Sequence, residues 1–464
     1  MKNSGKDSGG FYRELASLVL PITVQNLMTA LVSAADVVMA GAVSQTALSA
    51  VSLASQVQFV LSLFYAGLTI GTTVLASQYW GKGDQRAVQQ VLGIALKFSG
   101  LISAVFFIGA AFFPRWLMMI FTSDGQLIRA GIPYLRIVSV SYLFMGVSQI
   151  YLCIMKNAGK AVLSTVISSS AMILNIILNA VLIFGLLGFP KLGIAGAAAA
   201  TAVSRFLELI WCMAIARTPG AVKIHLRDIV HCQKVLFKDF IRYTGPVLAN
   251  EMAWGLGFTM YSVIMGHLGS DAVAANSVAN VVKNLVTSLC LGVGSGGGIL
   301  LGTVLGRGEV RRAKEYAGRL LRTAVLSGVL GGGIILLARP LILSLSGLTD
   351  TAEGYLSAML LICSYYVIGK ALNATLVAGI FCAGGDTRFG LVCDTINMWL
   401  FVVPLGLLCA FVFKMPVLVV YFVISLDEIV KIPFEVGHYK KYQWLNILTR
   451  DLENPDQDAA VSTS

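Results

Sequence analysis

Long apolar stretches alternate with short polar breaks along most of the 464 residues. Each stretch supplies the ~20 apolar residues that a helix needs to cross a bilayer. The stretches are too long and too continuously apolar for barrel strands, and helices satisfy their own backbone hydrogen bonds in lipid. The pattern therefore predicts an all-α integral membrane protein. Its twelve predicted transmembrane helices are 15–40, 46–76, 89–113, 131–155, 161–187, 193–216, 243–267, 272–302, 318–338, 355–381, 388–413 and 416–436.

Two of the polar breaks nearly repeat each other. GKGDQRA begins at Gly81, and GRGEVRR begins at Gly306 in the second half of the chain. The same offset pairs Pro21 with Pro246 and Gly159 with Gly384, so it stays constant from the first of these pairs to the last. Six spans separate equivalent positions, so the two halves enter the membrane in the same direction and form two parallel six-helix repeats.

The repeat predicts a division of the chain into four parts. These are an N-terminal six-helix lobe at 1–216, a cytoplasmic connector at 217–242, a C-terminal six-helix lobe at 243–436 and a cytoplasmic tail at 437–464. In such duplicated proteins the substrate site lies near the bilayer midplane between the repeats, and rocking of the bundles gives alternating access. The architecture therefore favours a secondary transporter over a channel, a scaffold or a membrane-embedded enzyme.

Composition and charge agree with a membrane location. Hydrophobic residues make up 57% of the chain, charged residues 12%, and the mean hydropathy is +0.80. The net charge of +11 comes from Lys and Arg clustered in the breaks on one side, including 217–242 and 306–322. This is the positive-inside pattern and not a nucleic-acid groove, so we expect the cytoplasmic membrane and both termini in the cytoplasm.

No motif predicts catalysis, a cofactor or a metal centre. The eight cysteines show no CxxC spacing, and the four histidines lack metal-ligand spacing. GVGSGGG at 292–298 lacks the lysine of a phosphate-binding loop and lies in a helical run, which favours close helix packing or a hinge. We therefore predict no enzyme, and an ion gradient as the source of energy.

Asp36 is the clearest candidate for that coupling. Gln25, Thr29, Ser33 and Asp36 are spaced by four, four and three residues, which places them on one face of the first helix. A carboxyl deep in an apolar helix suits reversible binding of a proton or a cation, or it holds helices together by hydrogen bonds. We predict that Gln25, Asn26 and Thr29 line the substrate cavity.

Two amides in the fifth span are further candidates. Asn175 and Asn179 lie one turn apart, and Ser164 and Ser168 continue their face. Such amides hydrogen-bond between helices or supply neutral oxygens to a cation.

The second half has its own acids. Glu251 precedes Trp254, Phe258 and Tyr261 by three, seven and ten residues, which puts them on one face. A carboxylate beside aromatic rings suits a lipophilic cation, although aromatic residues at helical spacing also simply pack. Glu251 and Asp394 are predicted as coupling residues, with a structural hydrogen bond as the alternative role of Asp394.

The other intramembrane charges divide into pairs and single lysines. Arg205 with Glu208, and Glu428 with Lys431, are spaced i,i+3 and are interpreted as local pairs. Lys283 and Lys370 lie nearer mid-span, where they either pair with Glu251 or Asp394 or contact an anionic substrate.

Several phrases resemble one transporter family. LPITVQNLMTALVSAADVVMAG, SQYWGKGDQRA, LNIILNAVLIFG and CAGGDTR match the patterns of the MATE (multidrug and toxic compound extrusion) family in the expected order, over about residues 11–450. The resemblance implies a V-shaped, two-lobed bundle of twelve helices. It also implies an antiporter that exports organic cations or drugs in exchange for H⁺ or Na⁺, with no other cofactor.

The resemblance also bears on individual residues. It implies that the fifth helix adjoins the acid of the first, so Asn175 and Asn179 join Asp36 as coupling residues. Some family members carry an acid at the second amide position, where this chain has the neutral Asn179. An acid at the place of Glu251 occurs in some branches.

The expected function is a drug exporter of the bacterial cytoplasmic membrane, working as a monomer in the lipid bilayer without nucleic acid. The alternative is a flippase for lipid-linked polyanionic precursors, which Lys283 and Lys370 would favour.

Overall fold

The computed structural model describes residues 4–230 and 232–451, and the regular elements in those residues are all helical. Lys2, His231 and the tail beyond Asp451 lie outside the described residues. The first half contains α1 (Ser4–Val43), α2 (Gln45–Lys82), α3 (Gln85–Phe112), α4 (Pro114–Phe121), α5 (Gly125–Asn157), α6 (Ala161–Phe184), α7 (Ile194–Ala216) and the short α8 (Leu226–Val230), with a 3₁₀ turn at Leu186–Gly188.

The second half is helical but less regular. It contains α9 (Lys234–Gly266), α10 (Ser270–Gly306), α11 (Val310–Ser346), α12 (Asp350–Asn373), α13 (Thr387–Ile396), α14 (Val403–Leu407), α15 (Val417–Ser425), α16 (Asp427–Val430) and α17 (Ile432–Lys440). Wider π-helical turns occur at Ala374–Phe381, Asn397–Val402 and Leu408–Val412. These turns lie inside the predicted spans 355–381 and 388–413.

Ten helices of the described chain are long and apolar enough to cross a membrane. Two predicted spans are not among the ten. The span 243–267 lies in α9, where Asn250 and Glu251 lower the mean hydropathy. The span 416–436 is predicted as one helix, but it is divided among α15, α16 and α17.

The interruption of that last span coincides with a group of buried charges. Leu426 and Lys431 keep helical φ/ψ angles, yet the backbone bonds there become shorter-range, with the amide of Leu426 donating to Val423 and that of Ile429 donating to Leu426. Asp427, Glu428 and Lys431 lie in this irregular stretch, and their side chains are buried. The helix is therefore irregular where it carries buried charges.

The chain divides into two compact units. The Asp36 unit comprises residues 24–72 and 88–240, and the Glu251 unit comprises the described residues in 4–23, 73–87 and 241–451. These units differ from the predicted lobes because the start of α1 and the end of α2 group with second-half helices. The lobe boundaries at 216 and 243 remain a prediction.

Each unit has its own apolar core. Leu61, Leu135 and Tyr142 are fully buried in the Asp36 unit. Met359 and Val367 are fully buried in the Glu251 unit. Since lipid is as apolar as these side chains, close van der Waals packing is what stabilises such cores in a membrane.

Glycines bring α2 and α10 into backbone contact within the Glu251 unit. A Cβ atom on Gly81 would overlap the backbone of Thr303, and one on Gly306 would overlap the backbone of Gln78. Gln78 and Thr303 are themselves equivalent positions of the repeat, so the two contacts are reciprocal. The repeated glycines therefore mark a symmetric helix crossing.

The GVGSGGG run also packs closely, as predicted. A Cβ atom on Gly294 would lie 2.8 Å from the carbonyl oxygen of Ala374, and one on Gly298 would lie 3.2 Å from Gly379. The run lies inside α10 and touches neighbouring backbones, so small residues are required there.

The polar breaks end and begin helices. Gly83 and Gly308 have φ angles of +84° and +78°, which favour glycine. The carboxylate of Asp84 accepts a hydrogen bond of 2.9 Å from the amide of Ala87 and caps α3. Glu309 does not cap α11 and instead pairs with Arg312 at 2.9 Å.

Candidate functional site

In the Asp36 unit, helices α1 and α6 meet along a row of polar contacts. Gln25 Nε2 donates to Ser168 Oγ at 3.1 Å, and Thr29 Oγ1 lies 3.8 Å from Met172 Sδ. Asn179 Nδ2 donates to Asp36 Oδ1 at 2.6 Å. All three pairs are 143 residues apart, so the two helices run side by side in the same direction. This places the fifth-span amides beside Asp36.

The contact of Asp36 continues into a hydrogen-bonded chain. Asn179 Nδ2 also lies 3.3 Å from Asn175 Oδ1, and Asn175 Nδ2 points to Thr201 Oγ1 at 3.3 Å and Ser204 Oγ at 3.4 Å. Asn175 and Asn179 are buried, whereas Asp36 is half-buried. Sequence reasoning missed Thr201 and Ser204, whose i,i+3 spacing in an alanine-rich helix was the available signal.

This cluster contains buried oxygen atoms that no hydrogen-bond donor reaches. Within the described chain, Gln25 Oε1 and Asn179 Oδ1 are buried with no hydrogen-bond partner. Buried acceptors are normally satisfied, so each unpaired oxygen calls for an explanation. A carboxylate with amide and hydroxyl oxygens nearby is the ligand set of a hard cation, and the carboxylate alone can take up a proton.

Thr29 and Asn26, which were predicted to line the substrate cavity with Gln25, also lie on α1. Thr29 is exposed and Asn26 is half-buried. Farther along the unit, Arg205 and Glu208 pair at 2.9 Å, which confirms their interpretation as a local pair. Ser148 Oγ lies 3.3 Å from the same Glu208 oxygen.

The Glu251 unit holds a buried charge network centred on Glu428. The carboxylate of Glu428 is fully buried and accepts from Lys370 at 2.8 Å and from Asn373 at 2.7 Å. Lys431 lies 3.3 Å from Glu428 and 2.8 Å from Asp394. Asn250 Nδ2 donates to the second oxygen of Asp394 at 2.9 Å. We call Lys370, Asn373, Asp394, Glu428 and Lys431, with Asn250, the Glu428 network.

This network corrects two predicted pairings. Lys370 pairs with Glu428 and not with Glu251 or Asp394. The Glu428–Lys431 contact is not an isolated local pair, because both residues have further partners. Their i,i+3 spacing suggested a local pair, and only helix packing brings residues from α12 and α13 to them.

Tyr261 has a partner in the same unit. Its hydroxyl donates to Asp427 Oδ2 at 3.2 Å, and Asn397 Nδ2 donates to the backbone oxygen of Asp427 at 2.7 Å. Tyr261, predicted as part of a substrate-facing stripe, is therefore engaged by an acid. A small cavity nearby is lined by Ala253, Trp254, Asp394, Met398, Asp427 and Lys431.

Glu251 and Lys283 differ from the charges of the network. Among the residues that the structure describes, neither has a hydrogen-bond or ion-pair partner within 4.0 Å, and both are half-buried. The ammonium of Lys283 lies 4.9 Å from the ring centroid of Tyr366 and 6.0 Å from that of Phe258. Lys283 thus pairs with neither Glu251 nor Asp394.

The predicted aromatic stripe forms only in part. Trp254 and Phe258 stack with their ring centroids 5.6 Å apart. Lys370 lies 5.0 Å from the Trp254 centroid, so the rings face lysines of the same protein. Over residues 4–230 and 232–451, no group of three or more His, Cys, Asp or Glu residues is arranged to hold a metal ion.

Comparison with known proteins agrees with this architecture. The sequence matches the MatE family profile over residues 21–181 and 246–408, two segments whose first residues are equivalent positions of the repeat. It is 26% identical to the probable multidrug resistance protein YoeA of Bacillus subtilis, over 90% of each chain. It is 24% identical to multidrug resistance protein PmpM of Pseudomonas aeruginosa, over 85% of this chain and 83% of PmpM.

A solved structure shows the same fold. A MOP superfamily transporter from Pyrococcus furiosus superposes with a TM-score of 0.84 at 18% identity, over 93% of this chain and 96% of that one.

Proposed function

Because the chain belongs to the MatE family of multidrug efflux transporters, we propose that it is a secondary active antiporter. It exports amphipathic organic cations across the cytoplasmic membrane in exchange for H⁺ or Na⁺, by rocking-bundle alternating access. The names of YoeA and PmpM as multidrug resistance proteins support a drug-like substrate.

The hydrogen-bonded chain at Asp36 carries this proposal. Asp36 is the one acid in its unit whose side chain meets Asn179, and through it Asn175 and Thr201. Either a proton on the carboxyl or a Na⁺ among these oxygens neutralises Asp36 and changes its hydrogen bonds to α6. The ion thereby favours one packing of α1 against α6, and such differential affinity is what lets a ligand shift a conformational equilibrium.

An ion gradient supplies enough energy for export. A one-for-one exchange of a monovalent organic cation for H⁺ or Na⁺ moves no net charge, so the concentration gradient of the coupling ion drives it. Each additional coupling ion per substrate adds ~2.3 kcal/mol per 100 mV of potential.

Glu251 is the proposed second titratable group. Its carboxyl has no ion-pair or hydrogen-bond partner in the described chain. Asp394, by contrast, is neutralised by Lys431 and held by Asn250. Of the two acids predicted for coupling in the second half, Glu251 is therefore the better candidate for ion exchange.

The flippase alternative has lost part of its support. A polyanionic substrate needs several unneutralised cations, and Lys370 is bound to Glu428. Of the two lysines that favoured it, Lys283 has no carboxylate within 4.0 Å in the described residues and keeps this alternative open.

Transport in proteoliposomes tests the proposal. A fluorescent organic cation is followed with the pH gradient and the Na⁺ gradient imposed separately, for the wild type and for Asp36→Asn. We expect one gradient to drive export by the wild type and neither to drive it in the variant. Asp124→Asn is the matched control, because Asp124 only caps α5 at an exposed position. Unimpaired gradient-driven export by Asp36→Asn would contradict the proposal.

A further inference from the structure

Glu435 in α17 is a buried acid without a partner. The residue is 0% exposed, and among the residues that the structure describes both of its carboxyl oxygens lack a hydrogen-bond donor. No cationic nitrogen of the described chain lies within 4.0 Å of them. A buried carboxylate that is neither paired nor hydrogen-bonded is so unfavourable that the group takes up a proton instead. We therefore expect Glu435 to be a neutral, protonated carboxyl.

The charges around Glu435 are already matched to one another. The groups that act on it are Lys431 on its own side of the helix, Lys370 of α12, Glu428 of α16 and Asp394 of α13, and the thiol of Cys393 lies on the same side of α13. Lys370 contacts Glu428 at 2.8 Å, and Lys431 contacts Asp394 at 2.8 Å. An ionised Glu435 would compete with Asp394 for Lys431, and the two lysines repel a metal cation. The ligand that fits this acid is therefore a proton.

His438 lies one turn farther along α17. The amide of Glu435 donates to the backbone oxygen of Lys431 at 3.0 Å, so a regular helical turn joins the lysine to the acid. Residues three or four apart on a helix have Cβ atoms roughly 5–6 Å apart. Lys431, Glu435 and His438, spaced by four and three, therefore form a row on one face. The row leads from the Glu428 network to the break CAGGDTR, which the charge pattern predicts to be cytoplasmic.

The ring of His438 is held in place and can carry a proton. Its Nε2 lies 2.5 Å from Asp386 Oδ2 in that break, and the ring stacks on Phe389 with the centroids 3.7 Å apart. The side chains of His438 and Asp386 are 12% and 20% exposed, so both reach solvent while Glu435 does not. An imidazole with one nitrogen on a carboxylate can accept a proton at its other nitrogen and release one from the first.

We propose that Glu435 is a proton-binding site and that His438, with Asp386, is the route by which its proton exchanges with the cytoplasm. The proton leaves a carboxyl oxygen of Glu435 for Nδ1 of His438, directly or through one water, and the Nε2 proton passes to Asp386 or to solvent. The reverse steps refill the acid. The site belongs to the Glu251 unit and does not include Asp36, so this inference goes beyond the proposed function and holds whichever ion drives export.

Infrared spectroscopy of the purified full-length protein in lipid tests the proton on Glu435. A protonated carboxyl has a carbonyl band that an ionised one lacks, and Glu435→Gln removes that band. We expect the difference between the wild type and Glu435→Gln to show it at neutral pH. Glutamine resembles a neutral carboxyl in size and charge, so the variant should keep the wild-type Tm. A missing band, or a large fall in Tm, would mean an ionised carboxylate and would overturn the proposal.

Hydrogen–deuterium exchange of the same band tests the route. Transfer to D₂O shifts the band as the proton is replaced, and the rate of the shift measures the exchange. His438→Phe keeps a ring on Phe389, and His438→Gln keeps a donor for Asp386. Both should slow the exchange about tenfold or more, because each lacks the proton-transfer group. A wild-type rate in either variant contradicts the route through His438.

His267 of the same unit provides the matched control. Its ring lies against that of Phe411 with the centroids 5.3 Å apart, and its Nδ1 is 2.9 Å from the backbone oxygen of Val263 on its own helix. His267→Phe should leave the band and its exchange rate unchanged, and slowing equal to that of His438→Phe would overturn the route. Both measurements are made without substrate. A failure of gradient-driven export therefore contradicts the antiporter alone, whereas a missing band contradicts only the Glu435 site.

Discussion

The Asp36 cluster and the Glu428 network handle buried charge in opposite ways. Asp36 is a single carboxylate that accepts from the neutral amide of Asn179 and, in the described chain, has no ion-pair partner within 4.0 Å. Glu428 is bound by two lysines and an asparagine, and Lys431 extends the network to Asp394. A carboxylate held only by neutral groups can take up a proton or a small cation, while acids already paired with lysines favour a fixed structure. The two regions therefore suit ion exchange and helix anchoring, respectively.

The repeat makes the contrast sharper. The repeat equivalent of Asp36 is Tyr261, and the repeat equivalent of Asn26 is Glu251. The glycines at the α2–α10 crossing, by contrast, are kept and make reciprocal contacts. The duplication thus preserved backbone packing, which depends on small residues, while the chemistry of the two halves differs.

The largest expected difference between the Asp36 cluster and the Glu428 network is in the thermal stability of the variants Glu428→Gln and Asp36→Asn. Removing this charge leaves Lys370 without its partner, and breaking a buried pair costs about 3–5 kcal/mol. We expect a large fall in Tm in detergent, whereas Asp36→Asn should change Tm little because its contacts are to neutral groups. Adding Lys370→Met should restore more than half of the loss. Equal Tm changes in Glu428→Gln and Asp36→Asn would remove the distinction.

The close crossing of α2 and α10, which both halves of the repeat form with equivalent glycines, is tested next by Gly306→Ala. The added methyl group meets the backbone of Gln78, which cannot move aside as a side chain can. Overpacking of this kind costs about 1–3 kcal/mol or more, measured as reduced Tm, and Gly81→Ala should behave alike. Gly100→Ala is the matched control, since a Cβ there meets nothing within 4 Å. A neutral Gly306→Ala would show that the crossing tolerates wider spacing.

The exchange role of the Asp36 cluster is tested by Asn179→Ala. Losing the amide that binds Asp36 should raise the coupling-ion concentration for half-maximal export about tenfold, equivalent to about 1.4 kcal/mol, as loss of a supporting ligand does. The measurement is export against ion concentration. Ser33→Ala is the control, because its hydroxyl bonds to the backbone oxygen of Thr29 on the same helix. Identical ion dependence in both variants would rule out a role for Asn179.

The smallest expected changes in stability come from substitutions in the two polar breaks that begin at Gly81 and Gly306. Asp84→Ala removes a cap from α3 and should cost about 1 kcal/mol in stability. Glu309→Ala removes only a partly exposed pair with Arg312 and should cost about 0–1 kcal/mol. Both are measured as Tm shifts in detergent. A larger shift for Glu309→Ala would reverse the assignment of capping roles.

The sequence predicted the parts of the site that depend on local spacing. Helical periodicity predicts that Gln25, Thr29 and Asp36 share one face of α1. It also predicts that Asn175 and Asn179 lie one helical turn apart on α6. Thr201 was missed, because nothing local to α7 tells which residue of another helix it faces. The same limit made Lys370 appear to be a partner of Glu251.

The sequence by itself determined that the chain is a duplicated bundle of apolar helices. Span length, glycine spacing and the repeat depend only on the order of residues in the chain, and not on how the helices pack. Only the tertiary structure decided which charges are neutralised. Lys370 and Glu428 are 58 residues apart, and Lys431 and Asp394 are 37 apart. Such pairings depend on how each helix is rotated against its neighbours. That packing pairs the acids at Glu428 and Asp394 with lysines, and leaves Glu251 and Lys283 without a hydrogen-bond or ion-pair partner within 4.0 Å in the described residues.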